Sequence, residues 1–573
     1  MTEPATADDI RIYRARRIVT MNPAQPSAEA VAVKGDRILA VGSTAELQGW
    51  QRAGDGPIQV DDRFADHVLV PGFVEAHSHV MAGGMWAMPY VGYFDRRGAD
   101  GKLWSGCTGF DDVIDRLVEA ESAMATQGAG PAEPLMAWGL DPIYFDGERM
   151  LARHLDRVSE TRPIFVYHAS GHLATVNTAM LTRSEITAED PTPGISLDDA
   201  GRPDGELQEP AAMRLAGDAF ARLGTMMHTE EAMWNYAREA RNAGATLITD
   251  LGTSQVSDSE QLQRWRKAVD DPDYPSRVMV AVSSMMGGQN DPSKLAAIGA
   301  DIKATASEKL RFGIVKIVLD GSIQGFTARI SWPHYYAAPE GHPGNGLWLL
   351  APDQVADIVE AFHVAGLTVH AHCNGDEASE VFIDAVEQVL ERHPRWDHRH
   401  TVQHCQLTTK AQYKRMAALG MCANIFSNHI FYWGDQHHDV TIGPERARGM
   451  DACATAVREG VSFSIHCDAP VTPMGHLHTM WCAVNRLTAS GLVLGPEERI
   501  SAHQALHAAT LGAAWQLKLD HDIGSIEAGK LADFAVLGDD PLTVDPMAIK
   551  DIGVWGTVLG GKPFPADAMT PAD

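Results

Sequence analysis

The chain has 573 residues, 45% of them hydrophobic and 21% charged, enough to bury a large central unit together with accessory parts. Its 47 Lys and Arg face 75 Asp and Glu, a formal charge of −28 that repels phosphate backbones and anionic lipid, so no nucleic acid and no membrane partner is expected. MTEPATADDIRIYRARRIVTMNP lacks the apolar core of a signal peptide, no apolar run is long enough to span a bilayer, and the seven cysteines form no CxxC pair, which together predict free thiols and a cytoplasmic location.

In chain order, IRIYRARRIVTM, EAVAVKGDRILAVG and HVLVPGF are short β-rich runs separated by turns. DFAVLGDDP and IGVWGTVLGGKPF read the same way near the other end, so residues 1–69 and 518–573 are predicted to share one composite β-sandwich domain. From 70 to 517, short apolar runs alternate with amphipathic stretches, the pattern of βα units around a parallel sheet. The candidate strands are LVPGFVEAHSH, TLITDLG, SRVMVAVSS, GIVKIVLDG, LTVHAHCNGD, HTVQHCQL, MCANIFS and VSFSIHCDAP. Eight such strands close into a (β/α)8 TIM-like barrel, with reactive residues gathered at their C-terminal ends. Residues 82–228 are too long for a βα loop and carry strand and helix signals of their own, so they are read as a subdomain inserted after strand one. The expected fold class is α/β.

His77-Ser-His79 ends the first strand, and residues at i and i+2 of a strand share a face, so both imidazoles can reach one ion. Alone, an HxH pair is a weak signal. Lys316 lies inside the apolar strand GIVKIVLDG, where a buried ammonium is costly. It is either a snorkelling lysine or an ion-pair partner of Asp320, or a deprotonated amine that adds carbon dioxide to become a bridging carbamate. His370-Ala-His372 and Gln403-His404-Cys405 end the next strands, although a lone strand-end histidine is more often a hydrogen-bonding residue than a ligand. Asp468 is placed to bind metal and accept a proton, or simply to start the turn at Pro470. The joint appearance of these residues in register with successive strands favours the metal-site reading.

Together these motifs resemble the amidohydrolase superfamily, in its amidohydrolase family 3, or YtcJ-like, branch, over nearly the whole chain. VPGFVEAHSH resembles the strand-one metal motif, VKIVLDGSIQGFTA the strand-four motif of the carboxylated lysine, and HCNGD the strand-five motif. QHCQL resembles the strand-six histidine, CDAPVTP the strand-eight Asp-x-Pro, and IGSIEAGKLADFAVL the C-terminal sheet segment. The resemblance implies a metal-dependent amidohydrolase holding one or two divalent ions, zinc by default. His77 and His79 would bind the more buried ion, Lys316 would bridge as an N6-carboxylated lysine, His372 and His404 would bind the outer ion, and Asp468 would be both ligand and catalytic base. The resemblance also implies a small-molecule substrate as the partner, and it suggests a homodimer.

SGHLATVNTAML resembles the branch's Gly-His motif, which brings His172 toward a substrate. Aromatic pieces supply Trp86, Tyr90, Trp138, Tyr432 and Trp433 as candidate pocket residues, against the ordinary reading that aromatic clusters fill cores. His437 and His438 either orient a polar group or are solvated. Two departures stand out: His370 adds an extra inward-facing histidine, and ANIFSNHIFYWGDQHHD lacks the branch's Gln-Pro after strand seven. Cys373, Cys405 and Cys467 flank the candidate ligands and are read as packing residues. The expected reaction is hydrolysis of a C–N amide-type bond, an N-formyl or N-acyl amine with an apolar substituent. The alternatives are deamination or opening of a nitrogen heterocycle, ester or lactone hydrolysis, and a non-catalytic binding protein on the same scaffold.

Overall fold

The computed structural model describes residues 10–48, 58–145, 148–252, 256, 258–283, 291–338 and 344–570. Two compact units are present, Met1–Val80 with Ala237–Asp573, and Met81–Tyr236.

In the first unit, strands from both chain ends build one seven-stranded sheet. Across the sheet these are Lys562–Thr570, Val554–Leu559, Phe534–Leu537, Ile58–Pro71, Ile10–Val19, Ser27–Lys34 and Arg37–Gly42. Period-two alternation sends Ile10, Ile12, Ala30 and Ala32 into one apolar cluster and Tyr13, Ala15, Val31 and Val33 into another. The 14-residue strand Ile58–Pro71 joins the two chain ends, pairing with Ile10–Val19 and, through Val68–Pro71, with Phe534–Leu537. Register shifts on either side of Ala15 allow the long pair to bend.

The unit's parallel strands are β1 (Phe73–Ser78), β2 (Ala245–Asp250), β3 (Arg277–Val280, continuing as Val282–Ser283), β4 (Ile314–Val318), β5 (Thr368–Cys373), β6 (Thr401–His404), β7 (Cys422–Ile425) and β8 (Ser462–Ile465). Neighbours in chain order pair throughout. Leu310–Arg311 extends β4 backwards, pairing with the first part of β3, while Lys316 pairs with Ser283 in the second part. The one-residue change of register between these pairings falls at Gly313, whose φ of 128° disfavours a side chain. The expected closed barrel is met in part. Eight parallel strands run in order, but among the described residues no ladder joins β8 to β1; the bond from His79 N to Ala469 O, 2.9 Å, lies beyond both strands. The buried Arg277 side chain on β3 bonds both carboxylate oxygens of Asp533, at 2.7 and 3.1 Å, and so anchors the segment leading into the terminal sheet.

Helices between the strands follow the apolar spacing of their sequences. In Asp376–Arg392, Ala378, Phe382, Ile383, Ala385, Val386 and Val389 form the buried stripe, with Asp376 and Glu377 in the first turn. Lys410–Leu419 starts on a reciprocal Thr409–Gln412 capping box and ends at Gly420 in the left-handed region.

The second unit holds a five-stranded sheet in the order Ile195–Leu197, Pro203–Gln208, Leu173–Val176, Ile164–His168 and Leu135–Leu140. Leu135 and Ala137 pack with Val113 and Leu117 of the helix Phe110–Thr126, while Met136 and Trp138 join a separate cluster with Phe165 and Tyr167. No helix among the described residues is long and apolar enough to cross a membrane.

Candidate active site

The candidate ligands lie at or just beyond the C-terminal ends of β1, β5, β6 and β8. The i, i+2 spacing on β1 turns His77 and His79 to one side, with His77 fully buried and His79 20% exposed at its side chain. Asp468 meets them: its Oδ1 is 3.4 Å from His77 Nε2 and 3.3 Å from His79 Nε2, and its Oδ2 is 3.7 Å from His404 Nδ1. Lys316 reaches the same point from β4, with Nζ 3.3 Å from His77 Nε2. His404, Cys405 and Asp468 all have positive φ, at 74°, 52° and 53°. A non-glycine residue held there costs on the order of 1–3 kcal/mol, and such positions cluster at functional sites.

Electrostatics follow burial. Desolvation lowers the Lys316 ammonium to about 7, against the opposing pull of Asp468 and Cys373. Desolvation raises the Asp468 carboxyl, but hydrogen bonding to His79 and the charges of His79, His466 and Lys316 outweigh it and leave Asp468 below its ordinary value. Burial likewise pushes the Cys405 thiol to about 12 and those of Cys373 and Cys467 well up, so all three are neutral, buried thiols that fill space.

His372 is drawn in less completely. Its ring is 4.4 Å from that of His404, yet its Nε2 lies 3.2 Å from Gly321 O and 3.0 Å from Asn374 Nδ2. Asp320 accepts from the backbone N–H groups of Arg329, Asn374 and Gly375 at 2.9, 3.0 and 2.8 Å, which ties the loops after β4 and β5 together.

Three residues that motif reading passed over belong to this centre. His466 stacks on His77 at 4.7 Å and forms a possible ligand group with His77 and His404. It stands two residues before Asp468, the same i, i+2 relation as His77 and His79, and that spacing was a usable signal. Glu75 is fully buried and accepts from His77 N and Cys467 N, both at 3.0 Å, spanning the two segments that no strand ladder joins. Gln403 bonds His77 Nδ1 at 2.6 Å, a contact with no local signature.

The pocket candidates fall into separate groups. In the second unit, Trp86, Tyr90 and Trp138 surround the guanidinium of Arg96, whose Cζ is 4.9 Å from the Trp138 ring, and His172 Nδ1 is 3.1 Å from Glu209 Oε2. In the first unit, Trp433 stacks on His429 at 4.4 Å and Tyr432 lies 5.6 Å from His478. His437 is buried and bonded to His429 and Thr441, whereas His438 pairs with Asp439 at the surface.

Whether the residues fit a metal ion is decided by their unmet polar atoms. Both ring nitrogens of His404 and of His466 and Nδ1 of His79 are buried without a hydrogen-bond partner among the described residues. Each such atom costs about 1–3 kcal/mol unless something else satisfies it. Imidazole nitrogens and a carboxylate oxygen converging in one place are a suitable donor set for a divalent cation.

The model of the amidohydrolase family matches residues 65–564. This chain belongs to the amidohydrolase family. It is therefore a hydrolytic enzyme of that family, acting on carbon–nitrogen bonds. Over 95% of its length it is 28% identical to Protein LONG AFTER FAR-RED 3 of Arabidopsis thaliana, 90% of which is covered. It is 25% identical to the N-substituted formamide deformylase of Arthrobacter pascens, over 96% of this chain and 97% of that enzyme. An uncharacterized metal-dependent hydrolase from Pyrococcus horikoshii shares the fold, with a TM-score of 0.68 at 19% identity over 94% of this chain and 99% of that one.

Proposed function

We propose that this amidohydrolase is a metal-dependent enzyme that cleaves an N-formyl or N-acyl amine carrying an apolar substituent. The observation that carries the metal-dependent reading is the convergence of His77, His79 and His404 on the Asp468 carboxylate, with Lys316 Nζ beside His77 and buried ring nitrogens left unmatched. The amide class is supported by end-to-end similarity to a formamide deformylase. The eight parallel strands are taken as one barrel, with Glu75 spanning the gap between β1 and the segment after β8.

His77, His79, His404 and Asp468, with Lys316, would hold a divalent ion, zinc by default, and such an ion supplies Lewis acidity toward a carbonyl and toward water. Asp468 is the proton carrier. Its depressed pKa keeps it ionised, and as a carboxylate beside the attacking water it accepts a proton that it then returns to the departing nitrogen, so that a carboxylate and a free amine leave. Lys316, desolvated toward neutrality, is suited to carbamate formation, which would add an oxygen ligand.

A second reading, deamination or heterocycle hydrolysis at a single-ion centre, is favoured by the engagement of His372 Nε2 with Gly321 and Asn374. Screening metal-loaded protein against N-formyl amines, N-acyl amines, amino-heterocycles and esters, with carboxylate and ammonia scored separately, tests both. Carboxylate with organic amine is the expected result; ammonia without carboxylate overturns the amide reading in favour of the second.

A further inference from the structure

One buried amide carries two of the inward-facing histidines. Gln403, on β6, is fully buried and meets three side chains. His77 Nδ1 lies 2.6 Å from Gln403 Oε1, Asn424 Nδ2 lies 2.8 Å from the same oxygen, and His370 Nδ1 lies 2.8 Å from Gln403 Nε2. Gln403, Asn424 and Ser464 occupy one row across β6, β7 and β8. Ser464 Oγ continues the row to Asn424 Oδ1 at 2.8 Å and to Gln516. All these side chains are buried, so bulk water cannot repair a mismatch, and donors and acceptors must agree along the whole row.

An amide oxygen only accepts and an amide nitrogen only donates. With Oε1 toward His77, that ring carries its proton on Nδ1 and leaves Nε2 bare. Gln403 Nε2 then donates to a bare Nδ1 on His370, which must carry its own proton on Nε2. Turning the Gln403 amide over would exchange both tautomers at once, and Asn424 would have to turn with it. In the orientation described, His77 turns Nε2 toward the side where the candidate ligands meet, 3.3 Å from Lys316 Nζ and 3.4 Å from Asp468 Oδ1.

We infer that Gln403 is a positioning residue of the metal centre: its amide presents His77 to the ion through Nε2 and withholds His370, leaving it one engaged acceptor and one proton-bearing nitrogen. The inference rests on the metal-dependent reading proposed above. His370 Nε2 is itself buried without a hydrogen-bond partner among the described residues, so the proton that Gln403 places there is what keeps the extra inward-facing histidine of β5 from competing as a ligand.

The test combines zinc affinity, measured by chelator competition, with histidine ¹⁵N NMR of the metal-free full chain. The wild-type spectrum is expected to show His77 protonated on Nδ1 and His370 on Nε2. Gln403→Met, which cannot accept from His77, is expected to bind zinc about 10–100-fold more weakly. His370→Asn is expected to stay within about threefold of wild type, and Gln403→Glu, whose carboxylate still accepts from His77 but can no longer donate to His370, is expected to move the His370 proton to Nδ1. Wild-type affinity in Gln403→Met, loss of a zinc equivalent from His370→Asn, or a His77 proton on Nε2 would each overturn the inference. If Gln403→Met does not fold, the other two variants and the tautomers still decide it. A wild-type chain that binds no zinc would instead sink the metal-dependent reading, while the NMR tautomers judge Gln403 separately.

Discussion

Two groups of buried histidines in the same unit behave in opposite ways. At the N-terminal ends of β5 and β6, His363, His398 and His400 use all six ring nitrogens within the protein. His400 Nδ1 accepts from Val369 N at 2.9 Å, so its Nε2 donates to His363 Nδ1 at 2.9 Å, and His363 Nε2 donates to His393 O at 2.8 Å. His398 Nδ1 accepts from His400 N at 3.0 Å, and its Nε2 donates to Leu419 O at 2.7 Å. At the opposite ends of the strands, His404 and His466 leave both nitrogens unmatched. His398-Arg-His400 is an HxH pair, as His77-Ser-His79 is. Burial and spacing are therefore shared by the two groups, and what separates a structural cluster from a candidate metal centre is the count of unsatisfied atoms.

The comparison breaks most readily at Asp468. With Asp468 as the proposed proton carrier, turnover of Asp468→Asn is expected to fall by about 10²–10⁴-fold with metal still bound. Steady-state kinetics beside metal analysis checks this, and near-wild-type rates would dismiss the role. His404→Ala and Lys316→Ala should each lower the metal retained after gel filtration, whereas His400→Phe should retain the wild-type amount. Equal metal loss from His400→Phe would erase the distinction between the two ends.

Acid sharpens the contrast. Desolvation lowers His398 to about 4 and His363 and His400 below their ordinary value of 6.5. These groups bind protons more readily unfolded, so their stabilisation is complete above about pH 6.5 and is lost as pH falls below it, for His398 down to about pH 4, at about 1.4 kcal/mol per pH unit over that window. Denaturant unfolding of the metal-free protein should show this slope, and His400→Phe should flatten it. The smallest effect expected is the cost of His400→Phe at neutral pH, about 1–3 kcal/mol for each of the two groups it strands, the Val369 N–H and His363 Nδ1. A variant as stable as wild type would show that these bonds are replaceable.

How much could be read in advance varies with the range of the interaction. Eight strands, the pair His77 and His79, and Lys316 in an apolar run were legible because alternation and spacing are local properties of the chain. His466 was legible by the same spacing but went unread. His372 matched its motif, yet the fold engages its Nε2 with a carbonyl 51 residues away.

The sequence by itself determined which residues stand at the strand ends and which family the chain belongs to, since both depend on short motifs. Only the tertiary structure decided that Glu75 links His77 to Cys467 and that Gln403 meets His77 across 326 positions of chain. A hydrogen bond needs a particular partner at a particular angle, and in a buried site that partner is supplied by packing between distant segments.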